Sequence, residues 1–372
     1  MSPDALVAAL RRGTRSNLFW PIVALFALLV FDVLAVPGFF SLRIQDGHLY
    51  GSLIDILKNG APTALIALGM TLVIATRGID LSVGATVAIS GALACNWIAT
   101  SPDPTSGSAA VVGVLLAIGL SLVLGLWNGF LVAVLGIQPI IATLVLMTAG
   151  RGLAQLITDG QIITIANPLY AQLGGGFLLG LPVSVVLAAV VFALVALLTR
   201  RTALGMLLES VGINPTAARL TGVRARGITV SVYVFVAVCA CVAGLMISSN
   251  VTAADANNAG LWIELDAILA VVIGGTLLTG GRFSLLGTLV GALVLQTLTT
   301  TVYTAGIPPE VTLVFKALVI IAVCLLQSPK TRALLSRSRR SAPPPPATPT
   351  ARNADPHAHI DEPARRNKVT QP

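Results

Sequence analysis

The polar side chains that interrupt this apolar sequence fall into three groups, and their types limit the chemistry open to the chain. Gly78, Asp80, Ser82 and Gly84 stand in RGIDLSVG between two apolar runs. Asn128 lies alone in LWNGFLV, while Gly281 and Ser284 bracket a second break, GGRFSLL. The third group occupies Leu207 to Gly227, LLESVGINPTAARLTGVRARG, the longest strongly polar interval in the body. Carboxyl, amide and hydroxyl groups at such breaks cap helices, join neighbouring helices or meet a hydroxyl of something passing between them. No GxxxxGK[ST], HExxH, CxxC or GxSxG occurs, and His48 is the body's one histidine. Nucleotide hydrolysis therefore requires another chain, and metal or hydrolytic chemistry has little to work with. His357 and His359 are too isolated to form a metal site.

The elements that carry these residues must be membrane spans. Of 372 residues 55% are hydrophobic and 10% charged, with a mean hydropathy of +0.90. Crossing a bilayer takes about 20 apolar residues per helix, and ten stretches qualify: 18–36, 60–76, 81–100, 109–135, 139–157, 181–199, 228–249, 265–280, 283–304 and 310–327. The eighth is short and broken by Gly274 and Gly275, so the count can shift by one. The alternating strands of a membrane barrel are absent, and the expected fold is an all-α integral membrane protein of about ten transmembrane helices. The first apolar stretch follows Arg11, Arg12 and Arg15 but lacks a small-x-small cleavage site, and reads as an uncleaved span.

The net charge of +8 points to topology, not nucleic acid. With the N-terminus in the cytoplasm, Arg43 and Lys58 are the only loop cations left outside, a strong positive-inside bias that puts both termini in the cytoplasm of a multi-pass inner-membrane protein. The domains are then a basic N-terminus (1–17), a transmembrane body (18–328) and a proline-rich, compositionally disordered tail (329–372). Cys95, Cys239, Cys241 and Cys324 fall inside spans and read as small buried hydrophobes.

Local signals place the polar groups. Asp80 is expected to cap a helix starting at Leu81, with Gly84 and Gly91 allowing close helix approach. Asn214, then Pro215, caps a short helix that Gly222 ends. Asn128 bonds a neighbouring helix or a solute hydroxyl, and Arg151 snorkels to an interface. Asp32 is almost alone as an intramembrane carboxylate. Exterior loops carry Asp159, Asp255, Asn257, Asn258 and Glu264, and residues 37–59 form another with Asp55 and Lys58. The stretch from Gly274 to Leu293 echoes the hairpin from Gly69 to Leu93 in the same sense, a weak parallel internal repeat. Gly287 and Gly291 make a small-xxx-small packing face.

Glu209, Gly212, Asn214, Ala217, Ala218, Arg219 and Gly222 resemble the coupling segment of ABC sugar permeases of the ribose and galactofuranose type. GIDLSVG, QDGHLYGSLIDIL and DANNAGLWIELDAILAVVIGGT resemble the same family, over most of the chain from Trp20 to Ser328. Arg77 departs from it, standing where such permeases usually carry glycine. The resemblance implies an importer subunit translocating a monosaccharide, with 203–227 docking on an ABC ATPase subunit. Gly78, Asp80, Ser82, Gly84, Asn128, Gly281 and Ser284 become translocation or gate candidates, and the exterior loop residues become docking candidates for a periplasmic or extracellular sugar-binding protein. It further implies a second permease subunit, as homo- or heterodimer, ATP-Mg on the ATPase, and no cofactor on this chain. A self-sufficient secondary sugar carrier is the alternative reading, with a membrane-embedded enzyme behind it.

Overall fold

The computed structural model describes residues 18–35, 38–45 and 47–306, together with 308, 311, 313–318, 321 and 325. The chain divides after Ser328, and the second unit, Pro329–Pro372, lies wholly outside the described residues. The basic N-terminus, Cys324 and much of the tenth expected span, 310–327, lie outside them as well.

Twelve helices are laid out in order among the described residues: α1 (Phe19–Ala35), α2 (Ser52–Ala75), α3 (Val83–Thr100), α4 (Gly107–Ala133), α5 (Pro139–Ile157), α6 (Pro168–Gly175), α7 (Val183–Arg201), α8 (Leu204–Ile213), α9 (Pro215–Leu220), α10 (Ala225–Val251), α11 (Ile263–Ile273) and α12 (Leu285–Thr304). Seven of them, α2 to α5, α7, α10 and α12, are long and apolar enough to cross a membrane, and α1 falls just short. The protein is thus an all-α multi-pass membrane protein, whose ten expected spans are not all present as full helices.

Two expected boundaries are corrected. α2 starts at Ser52, not at 60, because Ile54 and Ile56 are already buried on its inner face and the helix runs on through Pro62. Asp55 and Lys58 therefore belong to a helix and not to a loop. Proline is tolerated inside membrane helices where neighbouring groups satisfy the freed backbone. The eighth span is replaced by the 11-residue α11. Gly275, at φ +86°, turns the chain so that its N–H reaches the Val272 carbonyl at 2.9 Å and the Thr276 N–H reaches Val271 at 3.2 Å. That is a glycine-closed helix end.

α10 forms the axis, packing on α4, α2 and α3. Burial sorts the helices into an inner set and an outer ring: 78% of the apolar window of α2 is buried, against 22% for α7. Lipid is as apolar as leucine, so helices associate here through close packing of small residues and not through hydrophobic drive. A Cβ on Gly125 of α4 would stand 2.7 Å from Cα of Val234, and one on Gly69 of α2 would stand 2.9 Å from Cα of Val236. Gly91 and Gly244 bring α3 against α10 in the same way.

After α10 the chain turns back into the bundle. Ala253 and Ala254 pair antiparallel with Thr164 and Ile163, Ala256 is buried among Ala88, Ile89 and Leu146, and Gly260 reaches Gly84 near the start of α3. Trp262, at φ +64°, then starts α11. Irregular backbone at this depth is tolerated because it is buried in protein. The turns after α2 and α11 meet at one end, where the Gly281 N–H donates to the Ala75 carbonyl at 2.9 Å and Thr71 bonds Thr288 at 2.7 Å. Gly287 and Gly291 face Gly274 and Ala270 across α11, the small-residue packing expected of them.

Candidate functional site

The turn joining α2 to α3 is a buried polar knot. Its first part closes α2: the Gly78 N–H donates to the Val73 carbonyl and the Arg77 N–H to Ile74, both at 2.9 Å. Arg77 holds the left-handed position, φ +65°, that glycine usually takes in such a cap. Asp80 is 1% exposed, and its Oδ1 accepts from the Ser82 N–H at 2.9 Å and the Ser82 hydroxyl at 2.6 Å. The expected cap is therefore displaced. α3 starts at Val83 with Ser82 in the N-cap position, so Asp80 braces the residue before the helix instead of capping one at Leu81. The Asn128 amide donates to Ser82 Oγ at 2.8 Å, and Thr143 of α5 accepts from the Leu81 N–H at 3.1 Å. Asn128 therefore joins helices, and its Oδ1 and the Tyr233 hydroxyl keep unused bonding capacity among the described residues. Tyr233 crowds Gly78, where a Cβ would stand 2.6 Å from its hydroxyl.

Ser284 caps α12 by accepting from the Gly287 N–H at 3.1 Å. Gly281, at φ +93°, bonds the Ala75 carbonyl at the end of α2, so the second break lies against the start of the turn that carries Gly78 and Asp80. Gly84 sits apart, against Gly260 and the Glu264 carboxyl.

The polar interval folds as two helices, α8 and α9. Asn214 Oδ1 accepts from the N–H groups of Thr216 and Ala217 at 3.1 and 3.0 Å, and Gly222, at φ +88°, ends the turn with its N–H on the Arg219 carbonyl at 3.0 Å. Asn214, Ala217 and Arg219 are exposed, and Glu209 is half-buried. Ala218 is instead buried against Val211 and Ala225, and a Cβ on Gly212 would run into the Ala75 carbonyl. These two residues hold the segment to the body. Leu220, 85% exposed, and Ile213, 60% exposed, add an apolar surface beside Ala217. Sequence reasoning passed over both because isolated leucines and isoleucines are ordinary in so apolar a chain.

At the opposite end, pairing of 163–164 with 253–254 brings together the two segments expected on the exterior, and Gln155 donates to Asn257 at 2.8 Å. Asp159 and Asn257 are exposed. Asp255 accepts from the Asn258 amide at 2.7 Å and from two backbone N–H groups. Glu264, expected on the exterior, is 3% exposed, because the returning segment carries it inward to Gly84. Arg151 donates to the Ala259 carbonyl at 2.6 Å, so its guanidinium is bonded to the segment that follows α10.

One ion pair escaped the sequence: Lys316 and Asp266, 2.9 Å apart, 50 residues apart in sequence. Asp32 is buried on α1, which packs on α12. No cluster able to hold a metal occurs among the described residues, and Cys95, Cys239 and Cys241 are free and buried.

The family described as branched-chain amino acid transport system / permease component matches residues 52–324. The chain is 50% identical over 325 residues to the galactofuranose transporter permease protein YtfT of Escherichia coli (strain K12), covering 86% of this chain and 94% of that one. It is 40% identical over 331 residues to the fructose import permease protein FruF of Bifidobacterium longum (strain NCC 2705), covering 87% and 91%. With the ribose import permease protein RbsC of Haemophilus influenzae the identity is 36% over 307 residues, covering 82% and 90%. No solved structure matches the chain.

Proposed function

Because this chain belongs to the family of branched-chain amino acid transport system permease components, we propose that it is the transmembrane subunit of an ATP-binding-cassette importer carrying a monosaccharide, galactofuranose or a related pentose or hexose, into the cytoplasm. The observation that carries this reading is the half-identity, over nearly the whole chain, to a permease named for galactofuranose. In this reading α8 and α9 dock on an ATPase subunit that binds ATP-Mg, with Ala217, Leu220 and Ile213 presenting an apolar contact edged by Arg219. A sugar-binding protein delivers substrate at the end holding Asp159, Asp255, Asn257 and Asn258, and a second permease subunit completes the channel. The docking segment and both termini face the cytoplasm, following the arginine distribution. The buried turn supplies hydroxyl, amide and carboxyl groups suited to a neutral polyol.

Uptake of labelled galactofuranose, ribose and fructose by proteoliposomes containing this chain, its ATPase and its binding protein tests the reading. ATP-dependent uptake of one sugar is expected. Uptake that persists without the ATPase sinks it in favour of a self-sufficient carrier.

A further inference from the structure

The turns after α2 and α11 close their helices by the same bonds, and the residue at the left-handed position is Gly275 in one and Arg77 in the other. Glycine occupies that backbone freely, whereas a residue with a Cβ is strained there. Arg77 therefore holds a costly position that its counterpart in the same chain avoids, and its side chain makes a contact that glycine cannot. The Arg77 guanidinium donates to the carbonyl of Ile213, the last residue of α8 and the one before the Asn214 cap of α9. Gly280 leaves room for the Arg77 stem, since a Cβ there would collide with it. The last carbonyls of a helix lack intrahelical partners, and a cation at that end is favoured by the helix dipole.

We infer that Arg77 is a positioning residue that transmits movement of the α8–α9 segment to the buried Asp80–Ser82–Asn128 knot, so that docking at α9 and rearrangement of the turn occur together. The inference rests on the proposed function above. The path runs from the Ile213 carbonyl through Arg77 to Gly78 and Asp80 in the same turn, and from Ser82 to Asn128 on α4. The Gly212 contact with Ala75 lies beside it and keeps the two segments in register.

The test uses the full chain reconstituted with its ATPase subunit and binding protein, measuring sugar carried per ATP hydrolysed. Glycine relieves the backbone strain, so Arg77→Gly is expected to insert normally, to melt at or above the unaltered temperature and to retain the ATPase. Its sugar carried per ATP should fall several-fold, because docking at α9 no longer pulls on the turn. Arg77→Lys keeps a donor and should recover most of the ratio. An unchanged ratio in Arg77→Gly overturns the inference. So does a loss accompanied by a lowered melting temperature, which marks a folding effect. If no ATPase subunit co-purifies with the unaltered chain, the proposed function fails and the inference fails with it, an outcome distinct from normal coupling in the glycine variant.

Discussion

At the scale of single residues, Asp80 shows how a carboxyl group can be structural inside a membrane protein. Its Oδ1 takes both donors of Ser82, and an asparagine carbonyl oxygen can take the same two. Asp80→Asn is therefore expected to retain most sugar uptake at matched membrane abundance. Asp80→Leu leaves the Ser82 N–H and hydroxyl unpaired in a buried site, at about 1–3 kcal/mol for each, and should lose uptake. A dead asparagine variant would show that the charge matters, as in an ionic gate. That Asp80 would accept hydrogen bonds at the start of the following helix was legible from its place before a glycine-punctuated apolar run. Its partner was not, because an aspartate can brace the N-cap residue as readily as act as the cap, and the two arrangements have the same sequence signature.

At the scale of elements, α9 separates two alanines that look alike in sequence. Ala217 is exposed and Ala218 is buried on Val211 and Ala225. Ala217→Arg should leave insertion and abundance unchanged while removing the ATPase from co-purification, as a long side chain fills the docking surface. Ala218→Arg should lower abundance itself, since burying an unpaired charge costs several kcal/mol. If Ala217→Arg still binds its ATPase and transports, α9 is not the docking element. The Lys316–Asp266 pair ties the helical residues 313–318 to the first turn of α11. Lys316→Ala leaves a partly exposed carboxylate without its partner and should cost up to about 1 kcal/mol. The exchanged pair, Lys316→Asp with Asp266→Lys, should recover part of the thermal stability lost by either single change. No recovery would mean that the two side chains are not energetically coupled.

At the scale of the whole molecule, the arginine distribution predicts which ends face the cytoplasm. In a cysteine-free background, single cysteines at Ser16, Thr216 and Thr105 can be challenged with an impermeant thiol reagent in intact cells. Only Thr105→Cys should react from outside. Reaction at Thr216→Cys would remove α9 from the cytoplasm and from any ATPase. Much of the architecture behind this prediction was readable along the chain. Lipid solubility demands apolar runs long enough to cross a bilayer, and Asn214 with Pro215 and Gly222 punctuates α9 by purely local backbone chemistry. Those features depend on neighbours within a few residues, so the order of amino acids was enough to determine them. The tertiary structure alone decided the rest: that the Asn250 to Asp266 stretch returns into the bundle and buries Glu264, that α11 stops as a short helix, that Arg151 braces a loop, and that Lys316 meets Asp266. Each of these depends on a partner distant in sequence, chosen by which backbones can approach closely. In a chain apolar on nearly every face, no hydrophobic stripe marks those partners in advance. Small residues such as Gly84, Gly212 and Gly260 permit the approaches, and only packing shows which of the 35 glycines are used in this way.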